Sequence, residues 1–127
     1  MDIDVSDLVG KPYVSHGRGP AGYDCYGLVL EVERRMGAGM PDFEYKDFHG
    51  LMEISSKRLL EEGKAEEVGE PVPGALCLFR NFRGMASHIG VYLGDDLFIH
   101  CHYKRGVCIE RFSPYRMTAV GVYVWRK

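Results

Sequence analysis

The chain has 127 residues, enough for one domain with a single modest core, and is 46% hydrophobic and 27% charged. A formal net charge of -2 leaves no basic footprint for a general nucleic-acid binder. No apolar run approaches the ~20 residues that span a bilayer, and the acidic start "MDIDVSDLVG" has no signal-like stretch, so the expectation is one domain over residues 1–127, made in the cytoplasm without a signal peptide and not inserted in a membrane.

The first predicted element follows a glycine-rich loop in "GRGPAGYDCYGLVLEVERRMG", residues 17–37. Apolar residues at 25, 28, 29, 32 and 36 fall on one face of a helix. Asp24 stands at the N-cap position and Gly37 at the C-terminal stop, while Glu31 and Arg35 form an i, i+4 pair on the polar side. Next, "AGMPDFEYKDFHG" reads as loop, broken by Pro41. A second helix is expected from about Leu51 to Glu62, ending at Gly63.

After Pro73 the pattern changes. "ALCLFR", "SHIGVYLG", "LFIHCHY", "GVCIER" and "AVGVYVWR" are short β-branched or aromatic runs, separated by "NFRGM", "GDD", "KRG" and "SPYRM". They predict an antiparallel meander of about five strands, and helices followed by strands predict an α+β domain with helices on one sheet face.

Four cysteines occur, Cys25, Cys77, Cys101 and Cys108, and without a signal peptide reduced thiols are expected. Cys77, Cys101 and Cys108 lie in strand-like settings that suit small buried hydrophobes. Cys25 differs. It opens a helix, where unpaired backbone N–H groups and the positive dipole end favour a thiolate. Residue pattern alone leaves two readings, a nucleophile or the first buried residue of the helix face. A base would decide between them. His88 and His100 share one strand face by alternation, and a three-residue loop centred on Gly94 sets them opposite each other; a two-residue turn on Gly94-Asp95 would set Cys101 there instead. Cys25, His88 and His100 then form nucleophile, base and orienting group.

The matched pieces "KPYVSHGRGPAGYDCYGLV", "PVPGALCLFR", "SHIGVYLGDDLFIH" and "AVGVYVWR" span the chain from about Lys11 to Trp125. Together they resemble the NlpC-type cell-wall cysteine peptidases. The aromatic Tyr26 after the cysteine and "RRMGAGMPDF" after the helix look most like a branch found in phage tails. The resemblance implies a papain-like α+β fold, with the cysteine helix packed on an antiparallel sheet. It implies hydrolysis of peptidoglycan stem peptides, often at the D-γ-glutamyl–diamino acid bond, with no cofactor and with other phage tail proteins as partners. Under it Cys25 is the nucleophile, His88 the base and His100 the third polar residue. Tyr13, Asp24 and Ser87 become substrate-binding residues, Asp24 meeting a free amine. The oxyanion would be met by the Cys25 backbone N–H and the Tyr13 hydroxyl. The chain departs from the family at Ser15-His16, where Trp-Gly is common, and at Gly74-Ala75, where Gly-Asp is common.

Three rivals remain at this level. One is a metal site using "HCH" at 100–102 with His88, Cys77 or Cys108, against which alternation sets His100 and Cys101 on opposite faces. The others are a structural phage-tail module with little activity and an acyl- or amide-transferring relative.

Overall fold

A computed structural model describes residues 3–42, 65–80 and 86–125, with the side chains of Ala86 and Ser87 excepted. The helix expected at Leu51–Glu62 lies outside these residues, as does the side chain of Ser87.

Helix α1 forms over Cys25–Arg35. Its start is set by Asp24, whose carboxylate accepts from the Gly27 N–H at 2.7 Å. Its end is a Schellman motif: Gly37, at φ 91°, donates to the Arg34 carbonyl, and Ala38 donates to that of Glu33. The predicted stripe is the buried one, since Cys25, Leu28, Val29, Val32 and Met36 are all buried. Each of these larger side chains contributes about 1.5–3 kcal/mol by leaving water. On the polar side Arg35 bonds Glu31 at 2.7 Å and reaches Asp7.

Among the described residues six strands follow: β1 (Ala65–Glu67), β2 (Leu76–Arg80), β3 (Ala86–Gly94), β4 (Leu97–His102), β5 (Gly106–Arg111) and β6 (Ala119–Trp125). They make one antiparallel sheet in the order β1-β6-β2-β3-β4-β5. The five predicted strands all form, but only β2 to β5 are a meander. A 3-10 turn over Ser113–Thr118 sends β6 back to pair with β2, and the short β1 borders it.

The two sheet faces have different partners. Ile89, Val91, Ile99 and Cys101 join the core beneath α1. The opposite face carries the aromatic cluster of Phe79, Phe98 and Phe112, with Tyr115 at its edge. One contact ties the helix start to the sheet: the Cys101 thiol donates to the Tyr23 carbonyl at 3.2 Å. The N-terminus of α1 therefore sits at the end of β4 that carries His100 and His102.

The β3–β4 register differs from expectation. The turn is a two-residue one on Asp95 and Asp96, at φ 53° and 63°, a left-handed pair whose twist suits a hairpin and which aspartate tolerates. That turn pairs Gly94 with Leu97, an odd sum that would put the two histidines on opposite faces. A bulge between Tyr92 and Gly94 shifts the register by one and restores the parity. His100 thus stands opposite Gly90, not His88, and His88 is its diagonal neighbour.

Candidate active site

Diagonal neighbours on a sheet stand about 7–8 Å apart, a gap that two ring side chains can close only where nothing stands between them. Here the intervening position is a glycine. A Cβ on Gly90 would stand 3.1 Å from the His100 Cβ and 2.8 Å from the Ile99 carbonyl oxygen. Its absence lets the two rings meet, His88 Nε2 lying 2.7 Å from His100 Nδ1 with the rings nearly perpendicular. The expected pair forms, through a different register and with glycine as the enabling residue.

The chain of bonds continues beyond His100. Its Nε2 lies 2.5 Å from a carboxylate oxygen of Glu110 on β5. Glu110 also accepts from the Tyr115 hydroxyl at 3.0 Å and from Arg105 at 3.2 Å. His100 is 2% exposed and stacks on Phe98 with ring centroids 4.7 Å apart. Phe98 and the two hydrogen bonds hold the ring in place.

Electrostatics assign the protons along this chain. Burial would raise the Glu110 carboxyl, but the bonds from His100, Arg105 and Tyr115 outweigh it and keep the group ionised. An ionised carboxylate only accepts, so His100 must present N–H at Nε2. Burial outweighs the pull of Glu110 on His100 and lowers its pKa, so the ring is neutral and Nδ1 carries a lone pair. That lone pair accepts Nε2–H of His88. Burial, then the neighbouring His100, lowers His88 to about 3, so this ring too is neutral and, with Nε2 carrying the proton, has its lone pair on Nδ1. The carboxylate at one end thereby fixes which nitrogen is basic at the other.

At Cys25 one expectation reverses. The thiol is buried, and that burial, followed by the charge of Asp24, pushes it well above its ordinary value. Hydrogen bonds from the backbone N–H groups of Tyr26 and Cys25 act the other way, as a helix start should, but do not prevail. The resting group is a thiol, not a thiolate, because a helix dipole cannot outweigh full desolvation beside a carboxylate.

The loop before α1 is held tightly against it. The Gly17 carbonyl would lie 2.0 Å from a Cβ on Gly27, so only glycine fits in this first helical turn. Tyr13 bridges to Tyr23, and burial, then the nearby Cys25 and Asp24, raise its phenol to about 12. The phenol stays protonated and can donate beside Cys25. Asp24, 2% exposed, gives one oxygen to both the Gly27 N–H and Arg18, the latter at 3.0 Å. Arg18 in turn holds Asp42 with Nε and Nη2.

Glu110 was not among the expected site residues. A lone glutamate on an alternating strand reads as a solvent-facing charge, and only the β4–β5 pairing reveals what it faces. The thiol group of Cys101, by contrast, is turned toward α1 and away from His100, as alternation required.

The chain is similar to known proteins along most of its length. The model of the NlpC/P60 family matches residues 10–126. A probable endopeptidase of Mycobacterium tuberculosis is 33% identical over 92 residues, covering 72% of this chain and 20% of that protein. Murein DD-endopeptidase MepH of Escherichia coli is 35% identical over 99 residues, 72% of this chain and 31% of that one. The chain thus spans less than a third of the length of either. The structure of NlpC2 from Trichomonas vaginalis superposes with a TM-score of 0.70 over 95% of this chain and 44% of that one, at 20% identity, a likeness of fold.

Proposed function

The chain belongs to the NlpC/P60 family, and from that premise we propose that it is a cysteine peptidase that hydrolyses amide bonds in peptidoglycan stem peptides. The observation that carries the reading is the hydrogen-bonded chain His88–His100–Glu110, two neutral imidazoles ending on a carboxylate, which sets the His88 lone pair on Nδ1 at the end of the sheet where Cys25 opens α1.

In this mechanism Cys25 begins as a thiol. His88 Nδ1 takes its proton as the sulfur attacks the scissile carbonyl. The new imidazolium is stabilised through His100 by the Glu110 carboxylate. The Cys25 backbone N–H and the Tyr13 hydroxyl meet the oxyanion. His88 then protonates the leaving amine, and water cleaves the thioester.

Two bonds are candidates. The resemblance points to the D-γ-glutamyl–diamino acid bond within one stem. The DD-endopeptidase activity for which MepH is named, shared in name by the E. coli relative murein DD-endopeptidase MepS/murein LD-carboxypeptidase, 29% identical over 112 residues, favours a cross-link between stems. Asp24 is a helix cap first, and a substrate amine held there would have to displace Arg18. Ser87 precedes the base and belongs to the proposal as a substrate-lining residue. The finer setting, a phage tail whose other proteins position the domain, rests on "RRMGAGMPDF" and Tyr26, whose hydroxyl reaches the Pro41 carbonyl. Among the described residues no helix is long and apolar enough to cross a membrane.

Digestion of purified muropeptide monomers and cross-linked dimers, read by mass spectrometry, tests the reading. Cleavage of monomers between glutamate and the diamino acid supports the first bond, and dimers split to intact monomers support the second. No cleavage of either overturns the proposal.

A further inference from the structure

Cys108 takes no part in the mechanism, yet it stands directly across from His100 in the β4–β5 pairing, with Glu110 two residues along the same strand. The Cys108 sulfur lies 3.4 Å from His100 Nε2, and Nε2 lies 2.5 Å from Glu110 Oε2. One ligand atom from each of the three residues falls within 4.8 Å of the others. Zinc with bonds of about 2.0–2.3 Å in a tetrahedron sets a nitrogen and a sulfur about 3.5 Å apart, and a nitrogen and an oxygen about 3.3 Å. The nitrogen–sulfur edge is already in place. The carboxylate oxygen would retreat by about 0.8 Å, a small side-chain adjustment, given its 2.5 Å starting separation. His100 is locked by Phe98, while Cys108 and Glu110 are only partly buried and give an ion a way in. Arg105, which also holds Glu110, has a side chain 53% exposed and can swing aside.

We propose that His100 Nε2, Cys108 Sγ and a Glu110 carboxylate oxygen form a site for a thiophilic divalent cation of the Zn2+ class, and that its occupancy switches the catalytic base off. The coupling is through tautomers. In the metal-free chain the protons sit on Nε2 of both rings. An ion on His100 Nε2 forces the proton of that ring to Nδ1, where it must donate to His88 Nε2. His88 then carries its own proton on Nδ1, the nitrogen that has to accept from Cys25. Each ring keeps one proton and merely changes its place. The Cys108 thiol loses one to solvent, and the thiolate and carboxylate balance the charge of the ion. A water molecule would complete the fourth position.

The switching half rests on His88 as the base in the proposed function; the binding half does not. Cobalt titration separates them. In Cys25→Ala, Co2+ is expected to give a thiolate-to-cobalt charge-transfer band at one equivalent, displaced by Zn2+ and lost when Cys108→Ser or Cys108→Ala is added. No band, or a band that survives both substitutions, overturns the site. In the otherwise unaltered enzyme, Cys108→Ser is expected to keep metal-free turnover and to need roughly tenfold to a hundredfold more Zn2+ for half-inhibition. Equal inhibition of both proteins would place the ion elsewhere, on Cys25 among others, and overturn the switch. A cobalt band with no turnover on any muropeptide would instead overturn the functional reading and leave the site standing.

Discussion

Glu110→Gln isolates the residue that assigns the protons. The amide oxygen can still accept from His100 Nε2–H, so the shape of the site is kept, but the charge is gone. A hydrogen bond to a charged group is worth about 1.5–3 kcal/mol net, against about 0.5–1.5 for a neutral one. The contact from buried His100 is of the charged kind because the Glu110 carboxyl is held ionised. The difference of about 1–1.5 kcal/mol applies mainly when His88 becomes an imidazolium, because the negative charge stabilises that state through His100. It should therefore appear in kcat as a loss of roughly five- to tenfold. Glu110→Ala leaves His100 Nε2–H without its carboxylate acceptor, costs about 2–3 kcal/mol, and should lower kcat by roughly thirty- to 160-fold. KM should hardly move in either variant, since Glu110 acts through His100 and is a positioning residue. Initial rates of muropeptide cleavage across a pH series measure both constants, and thermal unfolding checks that the fold persists. Wild-type kcat in both variants, or a loss confined to KM, would refute the proton assignment.

Three further outcomes follow from the same geometry. His88→Ala should abolish turnover, whereas His100→Asn should retain part of it, because an amide can accept from His88 and donate to Glu110; cleavage rates of the two variants check this, and equal, complete loss would show that His100 does more than orient. Stability should fall in acid through His88: the unfolded chain takes up a proton below about pH 6.5, the folded site only near 3, so between these values stability drops by up to about 1.4 kcal/mol per pH unit. Urea unfolding of wild type and His88→Asn should show a shallower pH slope in the variant. Asp24→Ser should keep the cap and lose the Arg18 ion pair, lowering the melting temperature by a few degrees for about 1 kcal/mol; a rise in KM for stems with a free amine would add the substrate role, and an unchanged KM would leave Asp24 a cap alone.

Much of this was legible in the residues. The stripe at 25, 28, 29, 32 and 36, with Asp24 and Gly37 at its ends, gave α1 because capping and periodicity agreed. Five strands were legible from alternation, but β1, written Ala-Glu-Glu, was not, since its pairing with β6 supplies what its composition lacks. The His88–His100 contact was anticipated for the wrong reason: the turn sits on Asp95-Asp96, and a bulge near Leu93 corrects the parity that this turn would have broken. Bulges leave little trace in a sequence. The state of Cys25 was misjudged because the helix dipole can be read locally, while burial is set by everything packed around the thiol. Glu110 escaped notice because its partner is ten residues away on another strand.

The central claim is a covalent intermediate on Cys25, and it can be caught. Enzyme mixed with muropeptide, quenched in acid within a turnover and digested, would be searched by mass spectrometry for the Cys25 peptide. The account predicts that this peptide carries the acyl half of the cleaved stem as a thioester, and that Cys25→Ser yields neither the adduct nor free product at the wild-type rate. Product release with Cys25 unmodified at every quench time, or cleavage by Cys25→Ser at the wild-type rate, would contradict it.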